Sequence, residues 1–424
     1  MAAGLIGLLL GAVAAVEPVY AAIGVAVVVL GVVFIQARVH SELVVAAYWL
    51  TFTGVSTVFR EADVDGAFFP FYGALLFSVA VALWRRGLRL DRRIAWVYGA
   101  FLVVLLLSLL APGSVAGGDS LRRLIVYPFG ALVLFQFGSA TGLRAVALTA
   151  IGTSLAVSCW VIVTAFQAGF TYRGDLDVDQ NVVSFYIGLG LMLLLARRLD
   201  GARATGTSIG AALDWLAVTV MAYATLVLAS RGTIIAISLT LLALFVRELM
   251  QAKRRLGVFA ALLVVGTMGF ILPGGQGLLE RFEETGVDTG GGRTLIWSVV
   301  IDGIMVSRPS ELLVGHGFGA SRELVGARFT SLSSPHNAYL QVFFDLGLVG
   351  LVLFLALHGL VVVRAWSVPG REGAQMLGLV VFLLAVNLSI TAQDNFLYWT
   401  ALGLALAMSS WFGRDQARRP QEQR

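Results

Sequence analysis

Apolar residues run along this chain in stretches that approach the ~20 residues a helix needs to cross a hydrocarbon core, separated by short clusters of Arg, Gly or Pro. The stretches 2–16, 19–36, 42–58, 67–84, 94–111, 121–138, 145–168, 181–196, 209–229, 233–246, 256–272, 343–363, 376–391 and 397–411 predict about fourteen spans, or about twelve if the short ones at 2–16 and 233–246 do not cross. The fold class this implies is all-α, a polytopic helical bundle in a membrane. One long polar interruption divides it. Residues 1–272 form a first set of transmembrane helices, 273–342 a large loop, 343–411 the C-terminal transmembrane helices and 412–424 a tail.

Inside the loop the hydrophobic period changes. After Arg293, the residues Leu295, Ile296, Val299, Val300, Gly303 and Ile304 recur at helical spacing until Pro309, which predicts an amphipathic helix lying on the membrane surface or against the bundle. Arg293 would stand at its N-terminus, where backbone N–H groups favour phosphate oxygens; a solvated surface Arg is the alternative. Further on, Ser334 as N-cap and Pro335 as first helical residue would place His336 in the first turn of the next helix. The dipole there disfavours imidazolium, which predicts a neutral ring able to accept a proton.

Composition and charge turn this pattern into an orientation. Hydrophobic residues make up 58% of the 424, and only 13% are charged. Of the 30 Lys and Arg, 20 fall on one side of the expected membrane with 8 of the 25 acids; the other side carries 10 Arg and 17 acids. Basic loops stay inside, so the first side is the expected cytoplasm and holds both termini, and the loop at 273–342 is external. The net charge of +5 then reflects membrane insertion, and nucleic acid is not an expected partner. The N-terminal apolar run leads into further spans without a basic flank or cleavage site and is read as retained. Cys159 stands alone, which excludes a disulfide framework and reads as a small core hydrophobe.

Polar groups that a membrane chain would not otherwise keep are the candidates for chemistry. Ser230-Arg231-Gly232 sits between two apolar stretches on the external side, where Arg231 either snorkels or clamps an anion. Arg122 and Arg123, at another external helix end, allow the same two readings. The run Tyr172 to Asn181 holds Asp175, Asp177 and Asp179 at alternate positions, a weak D-x-D cation pattern or a solvated acidic loop. Two external arginines with a histidine suggest one reaction: guanidinium groups hold a departing diphosphate while imidazole takes the proton of a hydroxyl nucleophile. Such a scheme needs no metal and no cofactor.

The Ser-Arg-Gly turn, Gly292-Arg293 to Trp297, the Gly-His-Gly-Phe-Gly patch at 315–319 and the run from His336-Asn337 to Asp345-Leu-Gly together resemble the O-antigen ligase and polymerase superfamily over roughly residues 170–410. Asp179-Gln-Asn181 is similar to a D-P-N element of that family, with Gln180 in place of Pro. The resemblance implies an inner-membrane, metal-independent, inverting glycosyltransferase acting at the periplasmic face. Its donor would be an undecaprenyl-diphosphate-linked glycan and its acceptor a sugar hydroxyl of lipid A-core, with membrane lipids around both. Carried over by motif, Arg231 and Arg293 bind the diphosphate and His336 activates the acceptor. Asn337 and Asp394, with Arg122 and Arg123, join them as substrate contacts. Ligase is favoured over polymerase because the loop carries the full Arg and His pair. Transfer to protein lacks a large receiving domain, and a lipid-linked-glycan flippase has no use for the His.

Overall fold

The computed structural model describes residues 91–114, 128, 140–167, 180–199, 208–250, 293–329, 334–391 and 395–422, and no strand occurs among them. The helices are α1 (Arg92–Leu107, continued by a 3-10 turn to Leu110), α2 (Ala140–Gln167), α3 (Gln180–Leu199), α4 (Ser208–Val227), α5 (Arg231–Met250), α6 (Arg293–Met305), α7 (Pro309–Val314), α8 (Ala320–Arg328), α9 (Ala338–Ser367), α10 (Gly370–Val386) and α11 (Phe396–Glu422). Five of these segments are long and apolar enough to cross a membrane, beginning at Arg92, Val146, Gln180, Arg231 and Ala338. The protein is thus an all-α, polytopic membrane bundle. The spans expected before residue 91 and at 256–272, and all of 121–138 except Pro128, lie outside the described residues.

α3 and α10 form the centre. Phe185 to Ala196 of α3 and Gly373 to Val380 of α10 are almost continuously buried and apolar apart from Gln375, which donates to the Leu193 carbonyl, as expected of helices surrounded by helices. α5, α9 and α11 pack around α10, while α2, α4 and α5 pack around α3. Outward-facing Trp96, Val163, Phe166, Leu216, Val352 and Val363 remain exposed, as a lipid-facing surface requires. Cys159 is among the exposed residues and is no core hydrophobe.

The short stretch at 233–246 is a full-length helix. α5 has 20 residues, about 30 Å at 1.5 Å per residue, because Arg247 and Glu248 continue it instead of ending it. Arg247 is buried and donates from Nη2 to the carbonyls of Val368 (2.9 Å) and Gly370 (3.2 Å), with Glu248 at 3.8 Å. A side chain at Gly373 would collide with this guanidinium. The C-terminal end of α5 is therefore fastened to the turn that opens α10.

Ion pairs collect at that end. Arg198 meets Asp214 at 2.6 Å, Arg364 meets Asp91 at 3.5 Å, and the Asp91 amide donates to Ser410 Oγ. Asn181, at the opposite end of α3 from Arg198, accepts from Ser230 beside Arg231. Helix direction thus sorts the charges: Arg198, Arg247 and Arg364 lie at one end of the bundle, and Arg231 at the other.

α9 is two helices joined at Gly347, whose φ of +68° and ψ of −171° no L side chain adopts readily. The break admits the backbone of Leu313 and Gly315, which lies where a Cβ would be. Gly347→Ala should cost about 1–3 kcal/mol from the backbone alone, read as a lower thermal midpoint in detergent. Gly359→Ala, with open space around it and helical backbone, should leave the midpoint unchanged or slightly raised. Equal midpoints for both variants would refute the break.

Candidate functional site

At the end away from the ion pairs, four segments meet. α4 stops at Val227, and Ala229 takes a left-handed φ of +47°, a position usually given to Gly. Ser230 then turns into α5: its carbonyl accepts from Ile234, and its hydroxyl reaches Thr233 Oγ1 and Asn181 Oδ1. Arg231 is the first residue of α5. Gly232 follows because there is no room for more: a Cβ would overlap Ser389, with its own Cβ 2.5 Å away, and would lie 3.7 Å from Arg293 Nη1.

Arg293 is thereby placed over the Arg231-Gly232 turn, although 62 residues separate it from Arg231 in sequence. It is the first residue of α6, as its position after three glycines predicts. α6 seats Ile296 and Val300 against Ala320, Val325 and Phe344, and leaves Leu295, Ile301 and Met305 exposed. The helix therefore leans on α8 and α9 while its other face stays uncovered. Its end comes at Met305; Pro309 opens α7 instead, with Glu311 accepting from the Arg308 amide.

His336 lies within the same group. Trp297, one turn along α6 from Arg293, donates from Nε1 to the Pro335 carbonyl at 3.1 Å. Ser334 donates to Thr391 Oγ1 at 3.1 Å, and the Ala338 amide donates to the Asn387 carbonyl at 2.8 Å. The strap Ser334–Ala338 is thus held from one side by α6 and from the other by the unwound end of α10.

The helix after the strap starts later than expected. Asn337 is the N-cap, its Oδ1 accepting from the amides of Tyr339 (3.0 Å) and Leu340 (3.1 Å), so neither Ser334 nor Pro335 fills the expected roles. His336 precedes the cap, with φ +48°, and the dipole argument for its neutrality falls. Its imidazole is displayed from a strained residue. His336 and Ala229 are the two non-glycine residues with positive φ among those described, and both border this site.

The Gly315–Gly319 patch is architectural. Asp345, fully buried, accepts from the amides of Gly319 (3.2 Å) and Ser321 (2.7 Å), and its carbonyl accepts from Gly317. His316 stacks on Phe344 at 4.3 Å and lies 2.7 Å from Ser307 Oγ, fixing the far end of α6. Arg122, Arg123, Asp394 and the aspartates at 175–179 lie outside the described residues.

Residues 216–355, about a third of the chain, match a family model described as O-antigen ligase. This segment belongs to the O-antigen ligase superfamily. The match takes in Arg231, Arg293 and His336 together, and members of this family are ligases and polymerases of glycosyltransferase type. No curated protein matches the chain. Asn387, Ser389 and Thr391 fall beyond the ligase-family segment, and sequence reasoning gave none of them a role. The signal was a polar run, Asn387-Leu-Ser-Ile-Thr391, at the end of an apolar span.

The contact at Gly232 makes a stability test. Gly232→Ala should be destabilising, and Ser389→Gly, which removes the colliding atoms, should recover much of the loss. A double-mutant cycle on thermal unfolding should give a coupling of about 0.5–3 kcal/mol. Simple additivity would mean that the two segments do not touch.

Proposed function

We propose that this protein transfers an O-antigen glycan from undecaprenyl diphosphate to a sugar hydroxyl of lipid A-core, as an O-antigen ligase. The observation that carries the reading is the convergence of Arg231, Arg293 and the His336 strap at one end of a bundle whose opposite end holds the ion pairs. The charge bias of the loops supports a periplasmic site with both termini cytoplasmic.

The chemistry follows from the side chains. Arg231 and Arg293 hold the donor diphosphate, and planar guanidinium groups match its oxygens in pairs. The acceptor hydroxyl attacks the anomeric carbon from the face opposite the diphosphate, so the C–O–P linkage breaks at carbon and the configuration inverts. His336 takes the hydroxyl proton, and undecaprenyl diphosphate departs with the bonding electron pair. Charge developing on the leaving oxygen meets guanidinium already in place, which is the larger source of rate. Asn337 orients the strap as its cap and stands next to the acceptor. Arg122, Arg123 and Asp394 remain proposed contacts from outside the described residues.

His336→Ala should lower kcat by about 100- to 10,000-fold with donor KM little changed, measured with defined lipid-linked glycan and core acceptor. Full turnover in that variant would remove the base from the scheme. Arg293→Lys should raise donor KM because a point charge cannot pair bidentately. Excess chelator should leave the rate alone; loss of rate would instead direct attention to Asp175 and Asp177. In cells, deletion should leave long polymer on the carrier lipid and bare core, whereas core bearing one repeat unit would make the protein a polymerase.

A further inference from the structure

Beneath the His336 strap, a chain of polar groups descends into the apolar centre of the bundle. Asn387, Tyr398 and His358 are each fully buried. His358 sits well inside α9, 11 residues past the Gly347 break. Its Nδ1 is 2.8 Å from the Phe354 carbonyl, and its Nε2 is 2.8 Å from Tyr398 Oη. Tyr398 Oη in turn lies 3.4 Å from Asn387 Nδ2.

Donor and acceptor roles leave this chain one polarity. A carbonyl can only accept, so His358 Nδ1 carries the ring proton and Nε2 is left as acceptor. Tyr398 must then donate its hydroxyl proton to Nε2, and its oxygen accepts from the Asn387 amide. With Nδ2 committed downward, the Asn387 side chain has a single orientation, and its Oδ1 is buried without a hydrogen-bond donor. The Asn387 backbone carbonyl accepts from Ala338, two residues after His336. Phe354, Tyr339 and Trp399 enclose the chain, with Phe354 4.8 Å from the His358 ring and 6.1 Å from that of Tyr398.

Polar groups are expensive in a bilayer core, and a purely structural filler could be Leu or Phe. The hydrogen bonds from Asn387 through Tyr398 to His358 and the Phe354 carbonyl instead favour one geometry. The unwound end of α10, to which Asn387 belongs, is also the part that touches Gly232 through Ser389 and Ser334 through Thr391.

We propose that His358, Tyr398 and Asn387 are positioning residues that set the height and angle at which the strap presents His336 to the acceptor. The proposal builds on the transferase reading given above. An error of about 1 Å in a reacting group can cost about 100-fold in rate, so a rigid anchor under the strap has a direct kinetic effect.

The test uses the full-length protein in nanodiscs, with Tyr398→Phe, His358→Leu and His358→Gln. In Tyr398→Phe and His358→Leu, kcat should fall about 10- to 100-fold while donor KM stays within about twofold. His358→Gln, whose amide oxygen can accept from Tyr398, should recover most of the rate. Hydrogen exchange supplies a readout independent of catalysis: amides in 336–341 should exchange faster in the first two variants, with α3 unchanged, and slow again in His358→Gln. Wild-type exchange at 336–341 in Tyr398→Phe and His358→Leu would overturn the proposal, as would a loss confined to KM or one that His358→Gln fails to restore. If the wild-type protein transfers no glycan under any condition, the transferase reading fails, and the exchange pattern alone decides whether the network holds the strap.

Discussion

The approach of α5 to the end of α10 is the constraint on which the site depends. Gly232 and Ser389 touch so closely that even a methyl group at position 232 would collide, and Arg247 ties the other end of α5 to the turn opening α10. Fastening both ends of an antiparallel pair fixes its register along the membrane normal. Everything at the site is referred to that register. Arg231 opens α5, Arg293 lies over Gly232, and the polar run from Asn387 to Thr391 carries the strap that bears His336.

α6 is positioned from the opposite direction by the same kind of economy. Trp297, one turn into it, reaches the strap, and just beyond its end Ser307 meets His316 of the glycine-rich turn. That turn is docked on Asp345, which accepts three backbone amides through its carboxylate and carbonyl and sits two residues before the helix break. Backbone that leaves helical geometry near a bilayer must find partners within the protein. Here the break at Gly347 and the carboxylate of Asp345 supply them. The guanidinium of Arg293 is therefore aimed by a structure rooted in α9, while Arg231 is aimed by one rooted in α5 and α10.

The sequence was read correctly where apolar length and periodicity decide the outcome. α2 to α5 and α9 to α11 fall on stretches read as apolar spans, and α6 begins at Arg293, where the helical spacing placed a helix start. The misreadings share one cause, which is that a charged or capping residue does not reveal its partner. The apolar stretch ended at 246, yet α5 runs on because Val368 and Gly370 give Arg247 carbonyls to bond. Ser334 looked like a cap, yet its hydroxyl is spent on Thr391 and Asn337 caps the helix instead. The exposure of Cys159 could not be foreseen because lipid accepts the same side chains as a core. Gly232 was legible as part of a turn, but only the fold shows that its missing Cβ makes room for Ser389.

The division between matched and unmatched sequence has a physical meaning. Arg231, Arg293 and His336 all lie within residues 216–355, the segment that the O-antigen ligase family shares. The atoms that set their mutual spacing come largely from Asn387, Ser389 and Thr391, beyond it. Two arginines and a histidine can be specified by local motif, since each needs only the right side chain near a helix start. Their separation cannot, because it is a distance between helices that meet only in the folded bundle. The polar end of α10 converts a set of motifs into a geometry, and the buried chain from Asn387 to His358 gives that end a fixed point deep in the bundle.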